Sequence, residues 1–242
     1  MSTESIEIRV SGLPIQIVRK DIKNLHLGVY PPHGRVRVAA PLIVSDDAVR
    51  LAVISRLGWI KRQRAKFKGQ PRQSKREMVS GESHYFQGRR YRLRVIEHKG
   101  TAKVIVRNKS IIELHARSET TARERELALQ RWYRQQLKTL IPPLLEKWQT
   151  TLGIQVADWR IKKMKTKWGA CNTKARRIWL NLELAKSPVQ CLEYIIVHEL
   201  VHFLVRHHND QFTKYMDQAL PHWRLYREEL NCLPLGHERW GY

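Results

Sequence analysis

One short segment of the chain combines residue types that together could hydrolyse a bond. It contains His198, Glu199 and His202, followed by the pair His207 and His208. Histidines four residues apart on a helix differ by about 40° around its axis, so both imidazoles can reach one metal ion. A glutamate between them can serve as general base for a water beside that ion, and a third histidine can complete the ligand set. This pattern is typical of a zinc hydrolase.

The residues around the motif predict a buried helix. Apolar side chains occupy most positions between Cys191 and Leu204, on all sides of a helix rather than on one face. Imidazoles and a carboxylate in such surroundings are costly unless a partner satisfies them, and a metal ion would do so. The alternative is an amphipathic helix whose histidines are merely polar, and these flanks fit it less well.

The third histidine depends on where the helix stops. A straight helix would carry residues beyond His202 away from the metal, so the chain must turn back. Asn209 or Asp210 can cap a new helix, which places the break at His207 and His208. Either of these two histidines could then face the metal. We favour His208, partly on the resemblance described below.

Two familiar kinds of zinc site do not fit the sequence. The metzincin motif has the same ligand spacing but carries a glycine where this chain has Val205. The three cysteines, Cys171, Cys191 and Cys232, include no CxxC pair. They therefore argue against both a cysteine-bound zinc and a disulfide framework.

The chain is strongly basic. Lys and Arg number 45 against 22 Asp and Glu, giving a formal net charge of +23 over 242 residues. An excess of this size attracts polyanions. The basic residues concentrate in segments 56–77 and 158–177, close to Trp59, Trp159 and Trp168. The candidate nucleic-acid contacts that we select from these segments are Arg62, Arg64, Lys66, Lys162, Lys163 and Lys165.

The expected architecture is α+β. An N-terminal antiparallel β-rich region, residues 1–117, would hold one basic helix at about 46–68 and precede a mainly helical, zincin-like metal-binding catalytic domain at 118–242 with a small sheet. The first forty residues read as a β-meander, and a second β stretch around 85–114 has a hairpin turn at Gln87–Arg89. No repeat is visible in the sequence.

The second half begins with a capping box. Thr121 and Glu124 open a helix reaching about Leu140, which Pro142-Pro143 kinks or restarts. Two strands follow, at 159–163 and 178–181, and they are joined across the segment 168–172. This segment could offer an edge with which an extended peptide pairs. A structural hairpin is the alternative. No signal segment and no run of 18 apolar residues occur, so we expect a cytoplasmic protein without a membrane span.

The chain resembles the YgjP-like zinc metallopeptidases, cytoplasmic relatives of SprT-type and WLM-type minimal zincins. The similarity spans nearly the whole chain. It is densest in the segments 164–172, 178–182 and 194–202 and at His208 and Phe212, with further matches at 80–82 and 88–91. The resemblance implies one zinc ion at His198, His202 and His208, with Glu199 catalytic, and a peptide or protein substrate.

The mechanism expected from these residues is peptide hydrolysis by a zinc-activated water, with Glu199 as general base. Lys167, Tyr215 and His222 are candidates for oxyanion or substrate contacts. Two other functions stay open: a zinc hydrolase acting on a nucleotide or phosphoanhydride, and a nucleic-acid-binding module with a structural metal site. An enzyme acting near DNA or RNA through its basic clusters is a further hypothesis.

Overall fold

The structure is a computed structural model that describes residues 5–30, 34–69, 76–164 and 167–232, with backbone only at 66 and 68. The chain forms two compact units, Met1–Lys75 with Pro234–Tyr242, and Arg76–Leu233. Within the described residues there are six α-helices and three small mixed sheets, with 41% helix and 30% strand. The α+β class predicted from the sequence is confirmed.

The first unit opens with a four-stranded sheet: β1 (Ser5–Val10), β2 (Leu13–Lys20), β3 (His26–Tyr30) and β4 (Arg35–Pro41). The order is β1-β2-β4-β3, and β2 pairs parallel with β4. The predicted meander is therefore wrong. The reason is that β2 and β4 carry the most apolar inward faces, and pairing them puts fully buried side chains such as Ile17 and Val38 side by side at the centre.

The predicted single helix at 46–68 is two helices, α1 (Asp46–Ile54) and α2 (Leu57–Gly69). Ser45 caps α1, since its hydroxyl accepts a hydrogen bond from the Ala48 amide. The Arg56 amide donates a hydrogen bond to the Val53 carbonyl, three residues back, which tightens the last turn of α1. The first helix ends at this tightened turn.

The second unit begins with another four-stranded sheet: β5 (Ser83–Phe86), β6 (Arg89–Glu97), β7 (Lys103–Arg107) and β8 (Ile111–Ala116). Its order, β5-β6-β8-β7, and its strand directions repeat those of the first sheet. The first hairpin of each sheet turns through two consecutive residues with positive φ, Ser11-Gly12 and Gln87-Gly88. The repetition lies in topology and turn conformation, which the sequence did not reveal.

Helix α3 (Ala122–Leu152) packs against the second sheet. The Thr121–Glu124 capping box is present at its start, and Gly153 ends it in the left-handed conformation, with φ of 65°. The helix continues through Pro142 and Pro143 to Leu152, so the prolines do not start a separate helix.

A three-stranded sheet and three more helices complete the second unit. The strands are β9 (Asp158–Lys162), β10 (Gly169–Asn172) and β11 (Arg177–Asn181), in the order β10-β11-β9. A short 3₁₀ helix (Leu182–Lys186) leads to α4 (Val189–Val201), α5 (Asp210–Ala219) and α6 (Trp223–Cys232).

One hydrophobic core runs through the second unit. It joins Leu93 and Ile112 of the second sheet to Leu137 of α3, Ile178 of β11 and Ile196 of α4. The second sheet thus shares a core with the helices, and the contact boundary lies between residues 75 and 76, whereas the sequence placed a domain boundary at 117. In the described residues no helix is both long and apolar enough to cross a bilayer.

Candidate active site

Helix α4 carries the first two histidines and the glutamate. It is apolar nearly all round, with Leu192, Ile196 and Leu200 buried, so it is a central helix of its unit. Its start is braced by the β5–β6 hairpin. The amides of Gln87 and Gly88 donate hydrogen bonds to carbonyls of the 3₁₀ helix, over 3.0 Å each, immediately before α4.

The chain turns back directly after the motif. Helix α4 ends at Val201 with His202 as its C-cap, earlier than the break predicted at His207 and His208. Asn209 then caps α5 as expected, its side-chain oxygen accepting a 3.0 Å hydrogen bond from the Phe212 amide. This short return brings His208 beside His198.

The three histidines His198, His202 and His208 form one cluster. Their ring centroids lie 4.7–4.9 Å apart, and one ligating atom from each lies within 4.8 Å of the others. The Nε2 atoms of His198 and His208 are 3.0 Å apart. Two nitrogens bound to one zinc at 2.0–2.1 Å in tetrahedral geometry would be about 3.3 Å apart. The spacing suits a shared ion.

The protonation and hydrogen bonding of the cluster also fit a metal. Burial, followed by the neighbouring His202 and His208, lowers the pKa of His198 to about 3. Burial is likewise the main cause of the lowered pKa of His202. Both rings are therefore neutral at pH 7, with lone pairs available for a ligand bond.

A hydrogen bond at the His202 ring nitrogen that faces away from the cluster also fits a metal ligand. His202 Nδ1 lies 3.3 Å from the Val205 carbonyl, which fixes the ring and leaves its Nε2 for the cluster. His198 Nδ1 is buried without a partner among the described residues, so the outer hydrogen bond usual for a ligating histidine is seen at His202 and not at this ring. His208 is exposed, so the cluster is open to solvent on one side. Among the described residues no other three potential ligands come together.

The aromatic rings of Phe212 and Tyr194 pack against the histidine cluster. The Phe212 ring lies 4.7–5.0 Å from all three imidazoles, centroid to centroid. Tyr194, one turn before His198 on α4, makes an edge contact with its ring at 5.8 Å and stacks on Trp223. These rings restrict the imidazole orientations.

Glu199 is buried, with 5% of its surface exposed, and contacts the backbone of β10. A methyl group at Gly169 would lie 2.8 Å from Glu199 Cγ and 2.9 Å from Cδ, closer than atoms can pack. Any larger residue here would force the Glu199 carboxylate to move. Burial raises the pKa of Glu199 to about 8, against the opposing charge of Lys167. A cation bound nearby would favour the ionised form.

The segment leading to β10 is held by Asn181. Its amide Nδ2 donates to the carbonyls of Met164 and Lys167, at 2.9 and 2.8 Å, and its Oδ1 accepts from the amides of Met164 and Glu183. The Asn181 backbone amide also donates to the Trp168 carbonyl. Asn181 therefore holds the backbone at Met164, Lys167 and Trp168, close to the start of β10.

The three candidates for oxyanion contacts are placed differently. Lys167 lies close enough to Glu199 for its charge to lower the pKa of that carboxyl. Tyr215 packs against the hydrophobic core from α5, and His222 is exposed just before α6. Within the described residues, neither of these two hydrogen-bonds or stacks with the histidine cluster.

The candidate nucleic-acid contacts are scattered over both units. Arg62 is exposed on α2, whereas the aliphatic part of Arg64 packs against Gly34. Lys162 lies over the Trp179 ring at 5.9 Å, and Lys163 is 3.5 Å from Glu126.

Lys165 and the side chain of Lys66 lie outside the described residues. Trp159 and Trp168 are half-buried against the core of their unit, while Trp59 is 37% exposed. The two core tryptophans thus have a packing role.

Several site residues were not singled out from the sequence for these roles. Phe212 and Tyr194 sit at helical spacing from the histidines, which predicts only packing. Gly169 and Asn181 belong to the segments that carry the family resemblance, but their contacts, with Glu199 and with the carbonyls of Met164 and Lys167, become visible only in three dimensions.

Comparison with known proteins identifies the family. A model of the YgjP-like metallopeptidase domain matches residues 23–232. The chain belongs to the YgjP-like metallopeptidase family. This YgjP-like chain is accordingly a hydrolase of the peptidase class, and its family implies a metal cofactor and a peptide or protein substrate.

Two solved metallopeptidase zymogens resemble parts of the YgjP-like chain. Abylysin from Pyrococcus abyssi is 22% identical over 36% of this chain and 89% of its own, with a TM-score of 0.34. Jannalysin from Methanocaldococcus jannaschii is 23% identical over 37% of this chain and 92% of its own, also at 0.34. A search of curated proteins finds no significant match.

Proposed function

We propose that this protein is a zinc peptidase in which His198, His202 and His208 hold one zinc ion and Glu199 is the general base. The histidine cluster carries the proposal, because three imidazoles converge within reach of one ion and the residue after His198 on helix α4 is a buried carboxylate. When bound, zinc lowers the pKa of water and polarises a carbonyl group.

The protein side chains have defined tasks in this reaction. Glu199 accepts the proton of the attacking water and later delivers it to the leaving amine. Its contact with the Gly169 backbone fixes the carboxylate on one side. Lys167 is the candidate best placed to stabilise negative charge on the substrate oxygen, since its own charge already acts on Glu199.

Strand β10 offers a place for the substrate. It is an edge strand that pairs with β11 among the described residues, and its first residue contacts Glu199. An extended peptide can pair with an exposed strand edge through main-chain hydrogen bonds. The peptide bond to be cleaved would then lie alongside the carboxylate. We further propose a cytoplasmic location, as the sequence suggests.

The test combines metal analysis with cleavage assays. We expect about one equivalent of zinc in the wild type and in Glu199→Gln, and a large loss of zinc in His202→Ala. Casein cleavage should be lost in both variants. A wild type that binds no divalent metal, or a metal-loaded Glu199→Gln that cleaves casein normally, would contradict the proposal. Phosphate release from nucleoside triphosphates without peptide cleavage would favour the nucleotide hydrolase.

A further inference from the structure

The sheet β5–β8 has one covered and one open face. Tyr91 and Leu93 of β6 point into the core, so the residues between them point to the other side. There, Arg90, Arg92 and Arg94 are all exposed. Among the described residues none of these three side chains has a hydrogen-bond or ion-pair partner.

Neighbouring strands extend the basic surface. The register places Arg92 opposite Ile111 of β8, and Ile111 opposite Arg107 of β7. Lys103 lies on the same side at the other end of β7. We call this surface the arginine face; its cations are Arg90, Arg92, Arg94, Lys103 and Arg107.

The arginine face has one acidic residue within the described part of the sheet. Glu113 is already engaged, since it lies 3.1 Å from both His115 Nε2 and Arg107 Nε. The hydrogen bond with His115, followed by that with Arg107, holds the pKa of Glu113 below its ordinary range. Arg94 lies opposite Glu113 in the register, but the hydrogen bonds of this carboxylate go to His115 and Arg107 and not to the arginines of β6.

The geometry suits an extended polyanion. Alternate residues on a strand are about 6.6–6.8 Å apart, so the three arginines form a straight row roughly 13 Å long. The guanidinium group matches phosphate oxygens in a two-pronged geometry. Half-buried Tyr85 lies beside these charges and offers a ring on which a base can stack, and half-buried Ile96 and Ile105 add apolar contact.

The same features argue against a lipid surface. The exposed large hydrophobic side chains of the described residues, such as Ile43 and Leu225, do not lie on the arginine face. A surface without a protruding apolar side chain has nothing to insert between lipids.

The basic segment 158–177 is less available. Arg160 and Arg177 pair with Asp158, over 2.8 and 2.7 Å, and Lys162 lies over Trp179. The three arginines of β6, by contrast, alternate with apolar residues along the chain. The sequence therefore does not show them as a continuous run of charges.

We propose that the arginine face binds single-stranded nucleic acid through its phosphates. The partner lies along β6, with its bases against the apolar side chains of the sheet. This proposal is independent of the zinc site, because no residue of the arginine face belongs to the proposed catalytic machinery.

The test is fluorescence anisotropy with a labelled oligodeoxythymidine at several salt concentrations. We expect the triple variant R90Q/R92Q/R94Q to bind about tenfold or more weakly than the wild type. The slope of log affinity against log salt should fall by about two, from three lost phosphate contacts at roughly 0.7 each. R123Q/R131Q/K138Q is the matched control, since it removes the same charge from exposed positions of α3.

The control should lose less than about threefold in affinity, and thermal unfolding should show both variants folded. Equal weakening of both triple variants would overturn the proposal in favour of diffuse charge. Absence of wild-type binding at low salt, or preference for anionic vesicles over the oligonucleotide, would overturn it as well. Zinc content and casein cleavage of R90Q/R92Q/R94Q should match the wild type, so this test and that of the peptidase can fail separately.

Discussion

Replacing Gly169 by alanine tests whether β10 positions the Glu199 carboxylate. The added methyl group would lie 2.8 Å from Glu199 Cγ, and ordinary contacts begin near 3.4 Å. The carboxylate must therefore move by about 0.6 Å or more, the difference between these two distances, in a tightly packed site. Because a misplacement of about 1 Å costs on the order of a hundredfold in rate, we expect kcat to fall roughly 10–100-fold.

The measurement is peptide or casein cleavage with zinc content determined on the same sample. Zinc should stay near one equivalent, and the free energy of unfolding should fall by about 1–3 kcal/mol from overpacking. Gly58→Ala is the control, because a methyl group there meets Arg62 Nη1 at an ordinary 3.5 Å on helix α2. It should keep full activity and gain up to ~1 kcal/mol of stability. Full kcat in a zinc-loaded Gly169→Ala would refute the positioning argument.

Two further changes probe the surroundings of the site, and a third probes a buried histidine of the second sheet. Asn181→Ala removes four side-chain hydrogen bonds of a residue that is only 4% exposed. The free energy of unfolding in urea should fall by roughly 2–4 kcal/mol. A fall of less than ~1 kcal/mol would contradict the role of Asn181 in holding this backbone. Phe212→Leu should weaken zinc binding about tenfold in a chelator competition while the fold survives, and an unchanged affinity would show that the ring does not orient the imidazoles. Burial lowers the pKa of His84 from 6.5 to about 4. Between about pH 4 and pH 6.5 the unfolded chain therefore binds a proton on this histidine that the folded chain does not. The free energy of unfolding then falls by about 2–3 kcal/mol as the pH falls from 6.5 towards 4. His84→Gln should remove this part of the loss. A variant whose stability depends on pH as the wild type's does would contradict the prediction.

The chemistry of the site could be predicted from the sequence because its residues are close along the chain. The spacing of His198 and His202, the cap at Asn209 and the Thr121 capping box are local patterns, and the structure contains all three elements. Local hydrogen bonding determines such features, so short stretches of sequence suffice to predict them. That the histidines bind zinc stays a prediction.

Features that depend on distant segments were missed. The parallel pairing of β2 with β4 depends on which strand edges meet, and alternating apolar residues are equally compatible with a meander. The contact between Gly169 and Glu199 joins residues that are 30 apart in the chain, and the glycine alone signals only a turn or a close approach. The arginine face was overlooked because its charges come from two strands and alternate with core residues.

The repeated sheet topology provides an internal reference within one molecule. Gly12 and Gly88 occupy the same place in corresponding hairpins, with φ of 76° and 75°. A methyl group at Gly12 would meet no atom within 4 Å, whereas at Gly88 it would lie 2.6 Å from Pro188 at the start of α4. Gly12→Ala should therefore cost about 1 kcal/mol of backbone strain alone, and Gly88→Ala that strain plus the collision. The difference between the two losses of stability would measure how tightly the β5–β6 hairpin packs against the start of α4, a constraint that the corresponding β1–β2 hairpin does not carry.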